Sequence, residues 1–192
     1  LLKQLVIIDT ESMVMIWLKD AGRQQQARSC SRREFLRIGT GAAAALMLPA
    51  GIASAANHTE RSLGFYNTHT GEQLETCYWA EGEYVPEGMK EINHILRDHR
   101  TGDIHDMDQG LLDLLHLLQT QVESRQTFQI ISGYRSPATN ASLRKKSSGV
   151  AKRSYHMQGK AIDVRLPGTD LKKLHTAALA LQSGGVGYYP SS

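Results

Sequence analysis

The stretch KAIDVRL, residues 160–166, constrains the fold more than any other part of the chain. Its strict alternation predicts a β-strand with three apolar residues on one side and Asp163 on the other. The apolar side comprises Ile162, Val164 and Leu166. A carboxylate on a strand that otherwise looks buried costs free energy unless it is paired or binds a cation. The strand therefore predicts a partner for Asp163.

A histidine precedes this strand and is the first candidate for that partner. His156 lies seven residues before Asp163, and Gly159 between them permits a bend that brings the two side chains together. An imidazole nitrogen and a carboxylate oxygen are ligands that suit Zn²⁺. From the spacing alone, a His–Asp hydrogen bond that stabilises a hairpin is the alternative to a metal site.

The other patterns from residue 62 onward predict strands and helices that do not alternate regularly. The predicted strands are 62–67, 73–79, 127–132, 160–166 and a last one that begins with VGYY at 186–189. The predicted helices are 86–100, 108–123, a short one near 141–147, and 170–182, which stops at Gly184-Gly185. Because strands and helices are segregated, we predict an α+β fold with a mostly antiparallel sheet and flanking helices.

Composition and motifs give no support to two classes of partner. The net charge of +3 is too small to indicate nucleic-acid binding on its own. Neither GxGxxG nor a GK[ST] motif occurs, so nothing indicates a nucleotide cofactor. We therefore expect neither nucleic acid nor a nucleotide among the partners.

The segment 31–55 has the features of a twin-arginine signal peptide. Arg32 and Arg33 form its charged part, a Gly/Ala-rich apolar stretch follows, and Ala-Ser-Ala at 53–55 provides a cleavage site. We therefore predict export by the twin-arginine translocation machinery and a periplasmic location. An uncleaved signal would instead anchor the chain in the inner membrane.

The segment 1–30, which precedes the arginines, is unusual. It opens with leucine, and its apolar part is interrupted by Asp9 and Glu11. We interpret it as an upstream extension or a mis-called start and leave it out of the fold prediction. The folded domain would then comprise residues 56–192.

Several motifs from residue 65 onward resemble those of one family. The pattern S-x-H-x-x-G-x-A-x-D, present from Ser154 to Asp163, resembles the zinc-binding signature of the LAS-type peptidoglycan peptidases, which include D-Ala-D-Ala peptidases. FYNTHTGE, ISGYRS, GVAKRSYHMQGKAIDV and SGGVGYY resemble motifs of the YcbK/MepK-like exported murein endopeptidases, and they occur in that order.

This resemblance implies a D-Ala-D-Ala peptidase-like fold, a zinc cofactor and peptidoglycan as the substrate. By the matching motif positions, His156 and Asp163 are implied as metal ligands. Arg135 is implied as a catalytic residue that binds the scissile carbonyl or a substrate carboxylate. Ser154 is implied as a substrate contact. The implied reaction is hydrolysis of amide bonds in murein stem peptides.

A catalytic zinc site usually has three protein ligands, and the sequence offers two. In the resembled family the third is a histidine in a V-H-x-D-like motif on the strand after GVGYY, with the general base nearby. We therefore expect residues 56–192 to lack the last strand of such a domain. His69 and His175 are poor substitutes, because the first lies in a predicted turn and the second in an amphipathic helix. A metal- or murein-binding domain without catalytic activity remains the alternative to an endopeptidase.

Overall fold

The computed structural model describes residues 13–18 and 60–189, which belong to one compact unit. The predicted signal peptide at 31–55 lies outside the described residues, and so does most of the segment 1–30. Within the described ranges, no helix is long and apolar enough to span a membrane.

Seven strands of the described chain form one sheet in the order β4-β3-β2-β5-β6-β1-β7. Every neighbouring pair is antiparallel except β2 and β5, so the predicted α+β fold with a mostly antiparallel sheet is confirmed. The strands are β1 (Met13–Leu18), β2 (Arg61–Asn67), β3 (Gln73–Ala80), β4 (Glu83–Tyr84), β5 (Phe128–Ser132), β6 (Ala161–Arg165) and β7 (Gly184–Tyr189).

The α-helices of the described chain are α1 (Pro86–Ile95), α2 (Gln109–Gln121), α3 (Pro137–Lys146) and α4 (Leu171–Ala180). Three of these four begin at a capping side chain, and α1 begins at a proline. Asp108, Ser136 and Asp170 each accept a backbone N–H of the first turn of α2, α3 and α4, respectively. Helix α1 ends five residues before the predicted end, and residues 98–102 form a separate tight turn in which the Asp98 carbonyl accepts the Gly102 backbone N–H. Helix α3 begins four residues before its predicted start, directly after Ser136.

The core lies where α2 packs against the sheet and against α4. The apolar stripe predicted for α2 is confirmed, since all of its members are buried: Leu111, Leu114, Leu115, Leu118 and Val122. On the sheet, Ile162 and Val164 of β6 are also fully buried, as the alternation of that strand predicts. Burying each of these side chains stabilises the fold by about 1.5–3 kcal/mol before conformational entropy is counted.

Strand β1 differs from the sequence-based prediction, which left residues 1–30 out of the fold. Met13–Leu18 lies between β6 and β7 and pairs antiparallel with both. Val14 and Ile16 are fully buried on the core side. The exclusion therefore does not hold for this strand. Asp9 and Glu11, which interrupt the apolar run, precede the strand and do not prevent it from pairing.

The start of β7 also differs from the prediction. Gly184 and Gly185 were expected to stop the preceding helix, but α4 ends at Ala180 and both glycines belong to β7. A Cβ atom on Gly184 would collide with the Trp17 carbonyl oxygen, and one on Gly185 would collide with the Trp17 ring. The two glycines are needed because β1 approaches β7 closely at this point.

Candidate metal centre

His156 lies in a short 3₁₀ helix, Tyr155–Gln158, that the sequence-based prediction treated as a bend. Gly159 ends the helix in the left-handed conformation, with φ of 66°. A Cβ atom on Gly159 would collide with the carbonyl oxygen of Asp106, and the Gly159 carbonyl accepts the Asp108 backbone N–H at 2.9 Å. The turn that carries His156 into β6 therefore requires glycine for two independent reasons.

The His156 ring is held by the loop that follows β5. Its Nδ1 lies 2.8 Å from the carbonyl oxygen of Gly133. A carbonyl oxygen only accepts hydrogen bonds, so Nδ1 carries the proton and Nε2 of the neutral ring keeps its lone pair. In return, the Arg135 backbone N–H donates to the His156 carbonyl at 3.1 Å. This pair of bonds presents Nε2 as a ligand atom.

Asp163 lies in the middle of β6 and brings its carboxylate to the same point. Its Oδ2 is 3.5 Å from His156 Nε2, and both side chains are almost completely buried. This distance is longer than an ordinary hydrogen bond, so the hairpin-stabilising His–Asp hydrogen bond is not formed. Neither His156 Nε2 nor Asp163 Oδ1 has a hydrogen-bond partner among the described residues.

Two buried ligand atoms without partners fit a metal site. Leaving a buried polar group unsatisfied costs about 1–3 kcal/mol. A neutral imidazole and a carboxylate that converge on one point are the nitrogen and oxygen ligands that Zn²⁺ takes. The predicted pair, His156 and Asp163, therefore has the geometry of two metal ligands.

Arg135 lies beside this pair, as predicted. Its Nη2 is 4.0 Å from Asp163 Oδ2 and donates to Ser132 Oγ at 3.3 Å. The side chain is 15% exposed. Burial lowers the pKa of the Arg135 guanidinium, although the negative charge of Asp163 opposes this effect. The guanidinium does not bind Asp163 in a bidentate manner, so it has donors left for another acceptor.

The loop with Gly133 and Arg135 is fixed by the end of α1. The Tyr134 backbone N–H donates to the Leu96 carbonyl at 2.7 Å, and the Ser136 N–H donates to Asp98 Oδ2 at 2.9 Å. Burial opposes ionisation of Asp98. Hydrogen bonds from Thr139, Ser136 and a backbone N–H nevertheless hold the pKa of this carboxyl well below its usual range. Sequence reasoning missed Asp98, because its partner is 38 residues away.

Ser154 is buried and lies two residues before His156. Its carbonyl accepts the Met157 N–H at 3.1 Å, and its side chain does not cap the 3₁₀ helix. No described contact joins its hydroxyl to His156 or Asp163. Its role as a substrate contact stays a prediction.

A third ligand from the usual metal-binding residues is absent from the described part of the chain. There, no three His, Cys, Asp or Glu side chains come together in a group that could hold a metal. The ring of His69 stacks on His99 with 3.9 Å between centroids, and that of His175 packs on Tyr188 at 4.9 Å. The neighbour of Asp163 on β1 is Met15.

Buried nitrogen and oxygen ligand atoms beside a guanidinium are compatible with metal-assisted amide hydrolysis. The comparison with known families is more specific. The family model described as Peptidoglycan L,D-endopeptidase MepK matches residues 54–192, and the chain belongs to this family.

Individual relatives agree with this assignment. The chain is 41% identical over 163 residues to a protein of Escherichia coli K12 named peptidoglycan L,D-endopeptidase MepK, covering 84% of this chain and 90% of that protein. It is 39% identical over 164 residues to a Haemophilus influenzae protein named probable peptidoglycan L,D-endopeptidase MepK, covering 84% and 88%, respectively. No solved structure gives a significant match.

Proposed function

We propose that this chain is a zinc-dependent endopeptidase that hydrolyses amide bonds in peptidoglycan stem peptides during cell-wall remodelling. The observation that carries the proposal is the approach of His156 Nε2 to within 3.5 Å of Asp163 Oδ2, while Nε2 and the second carboxylate oxygen, Oδ1, are buried and without hydrogen-bond partners in the described structure. Family membership supports peptidoglycan as the substrate. The names of the relatives favour a scissile bond of the L,D type.

His156 and Asp163 would hold the zinc ion. When bound, zinc supplies an activated water and polarises the scissile carbonyl. The chain contributes orientation and charge around that reaction. The Gly133 carbonyl keeps a proton on Nδ1 of His156, so that the ring is correctly turned and Nε2 is the atom directed at the metal.

Arg135 would bind either the carbonyl oxygen of the scissile amide or a substrate carboxylate. Its guanidinium is mostly buried, and a hydrogen bond to Ser132 holds it near Asp163. A donor fixed in this way stabilises negative charge as it develops on an oxygen atom. Ser154, two residues before His156, would contact the bound peptide.

A metal- or murein-binding domain without catalytic activity is the second candidate. The observation that favours it is the lack of a three-ligand cluster within the described residues. Such a domain would bind peptidoglycan or zinc without turnover, so that binding and product release distinguish the two candidates.

The deciding experiment uses the purified chain with and without zinc, on isolated peptidoglycan. Soluble fragments are separated by chromatography and identified by mass spectrometry, and zinc per chain is measured after dialysis. We expect zinc-dependent release of fragments that the His156→Ala/Asp163→Ala double variant does not release. Equal release by both chains would refute the endopeptidase. Peptidoglycan co-sedimentation without release would favour the binding domain.

The twin-arginine motif supports a proposal on location: we propose that the chain reaches the periplasm through the twin-arginine translocation machinery. Arg32 and Arg33 are the features that this machinery would read. The Arg32→Lys/Arg33→Lys variant should stay inside the cell in fractionation, while the parent chain is released with the periplasmic fraction. Equal periplasmic amounts of the two chains would contradict this route. Parent chain that remains uncleaved in the membrane fraction would instead support the anchored form.

A further inference from the structure

We propose that residue 15 occupies the third corner of the His156–Asp163 site, so that the side chain at this position sets how tightly the site holds a divalent metal. The proposal rests on the proposed function in one respect only: His156 and Asp163 are taken to be metal ligands. It assigns a role in that site to β1, a strand that lies far from the zinc signature in the sequence.

The register of the sheet places Met15 beside Asp163. Met15 pairs with Asp163 on β6 and with Gly187 on β7, in antiparallel ladders on both sides. Side chains of directly opposed residues point to the same face of a sheet, with Cβ atoms about 4.5–5.5 Å apart. Met15 therefore shares a face with the Asp163 carboxylate, opposite to the core side of Val14 and Ile16.

The residues that surround Asp163 in the sheet leave the side toward β1 for a third ligand. On β5 the directly opposed residue is Ser132, whose hydroxyl accepts a hydrogen bond from Arg135. On β1 it is Met15, and beyond Met15 lies Gly187, which has no side chain. His156 approaches from the 3₁₀ helix before β6. Two strands thus flank Asp163. Strand β5 carries Ser132, the hydrogen-bond partner of Arg135, and the other strand is β1, whose residue beside Asp163 is residue 15.

The chemistry of methionine explains why the site lacks a strong third ligand among the described residues. A thioether is a neutral, soft donor that suits Cu(I). Zinc sites in proteins are built from imidazole, thiolate and carboxylate groups instead. With methionine at residue 15, the described site offers zinc two good ligands, and a histidine there would supply a third.

Substitution at this position should leave the fold intact. Met15 is only half-buried, whereas the adjacent Val14 and Ile16 anchor the strand in the core. Met13 offers a matched control, because it lies on the same face of the same strand and pairs with Tyr189. It lies two residues, or about 7 Å, along the strand from Met15, so that it is a diagonal neighbour of Asp163 at about 7–8 Å instead of a directly opposed one.

The experiment compares zinc affinity in the uncleaved chain of 192 residues for the parent, Met15→His and Met13→His, by competition with a chromophoric chelator. Loss of an outer-shell partner typically changes metal affinity by about 10–100-fold, so a new direct ligand should exceed this. We expect Met15→His to bind zinc more than about 100-fold more tightly than the parent, and Met13→His to match the parent. Co²⁺ bound to Met15→His should show the intense visible absorption of a tetrahedral site.

Three further variants keep the test decisive. Adding Asp163→Asn to Met15→His should abolish the gain, which shows that the two residues share one ion. If thermal unfolding shows that Met15→His is not folded, Met15→Cys against Met13→Cys asks the same question with a smaller side chain and a thiolate ligand. Equal affinities of folded position-15 and position-13 variants would overturn the proposal. Tight zinc binding without peptidoglycan hydrolysis would count against the proposed function and not against this assignment.

Discussion

His156 and Gly133 are joined by a hydrogen bond from Nδ1 to the backbone carbonyl, 2.8 Å long and completely buried. This bond couples the two loops that carry the site, since Arg135 follows Gly133 by two residues and donates its own N–H back to His156. The ring orientation of His156, the proposed metal ligand, and the position of the arginine are therefore set by the same piece of backbone.

The first prediction concerns Gly133→Ala. A Cβ atom at Gly133 would lie 2.5 Å from the Leu96 carbonyl oxygen, so the loop must shift and carry the His156 acceptor with it. We expect zinc affinity to fall about 10–100-fold, as for loss of a partner that orients a ligand. We also expect the free energy of unfolding to fall by about 1–3 kcal/mol. Chelator competition and urea denaturation measure the two effects.

The control for this change is Gly149→Ala. There a new Cβ atom would meet only the Ser147 hydroxyl at 3.7 Å, which is an ordinary contact. It should leave zinc affinity unchanged. Similar losses of zinc affinity in both variants would show that the effect does not depend on the contact between Gly133 and the Leu96 carbonyl.

The second prediction concerns Arg135→Lys. Lysine keeps the charge but not the planar set of donors, so it should bind zinc as the parent does yet stabilise the developing oxyanion poorly. We expect the rate of peptidoglycan hydrolysis to fall about 10²–10³-fold. Arg144→Lys, at an exposed site on α3, is the matched control. If Arg135→Lys hydrolyses peptidoglycan at a rate close to that of the parent, Arg135 is not a catalytic residue.

The third prediction concerns pH and His99, whose ring stacks on His69. Burial lowers the pKa of His99 to about 4, the positive charges of His69 and Arg100 act in the same direction, and Asp98 opposes them. An unfolded histidine has a pKa near 6.5, so between these values the unfolded chain binds a proton that the folded chain does not. Stability should therefore fall from about pH 6.5 downward, by about 1–2 kcal/mol from this group at pH 5.

Urea denaturation at pH 7, 6 and 5 measures this dependence. The His99→Asn variant should lose less stability than the parent over this range, whereas His94→Asn, at an exposed position on α1, should behave like the parent. Identical pH slopes for the parent and His99→Asn would contradict the assignment.

The fourth prediction tests whether β1 is part of the fold in solution. Ile16 is almost completely buried, so Ile16→Ala should lower the free energy of unfolding by about 2–5 kcal/mol. Met13→Ala, in the same strand but half-buried, should cost clearly less. A cost below about 0.5 kcal/mol for Ile16→Ala would indicate that β1 does not occupy its place between β6 and β7.

The sequence was sufficient for those parts of the site that depend on local geometry. His156, Gly159 and Asp163 lie within eight consecutive residues, so a turn and one strand already bring the two ligands together. The arginine loop was found through its motif. In contrast, β1 depends on pairing with residues near 162 and 187, and no local pattern specifies such distant partners. The alternation in MVMIWL was a usable signal, but six residues do not show which strands they join.

The same reason accounts for the smaller errors. Gly184 and Gly185 looked like a helix stop because glycine commonly ends helices. Their actual role is to make room for Trp17, a residue of the strand that was left out of the prediction. The omission of β1 near the start of the chain thus led to the wrong role for Gly184 and Gly185 near its end.

The position of β1 in the sequence has a consequence for maturation. Met13–Leu18 precedes the predicted cleavage site at 53–55, whereas both of its partner strands follow that site. Removal of the signal would turn an internal strand into a separate peptide bound to the domain. Its retention would then depend on concentration, because the effective molarity that the covalent connection provides is lost. Departure of the peptide would expose the facing edges of β6 and β7, and unpaired edges of this kind readily accept a strand from another chain. Cleavage at the predicted site would thereby change which strands the sheet contains.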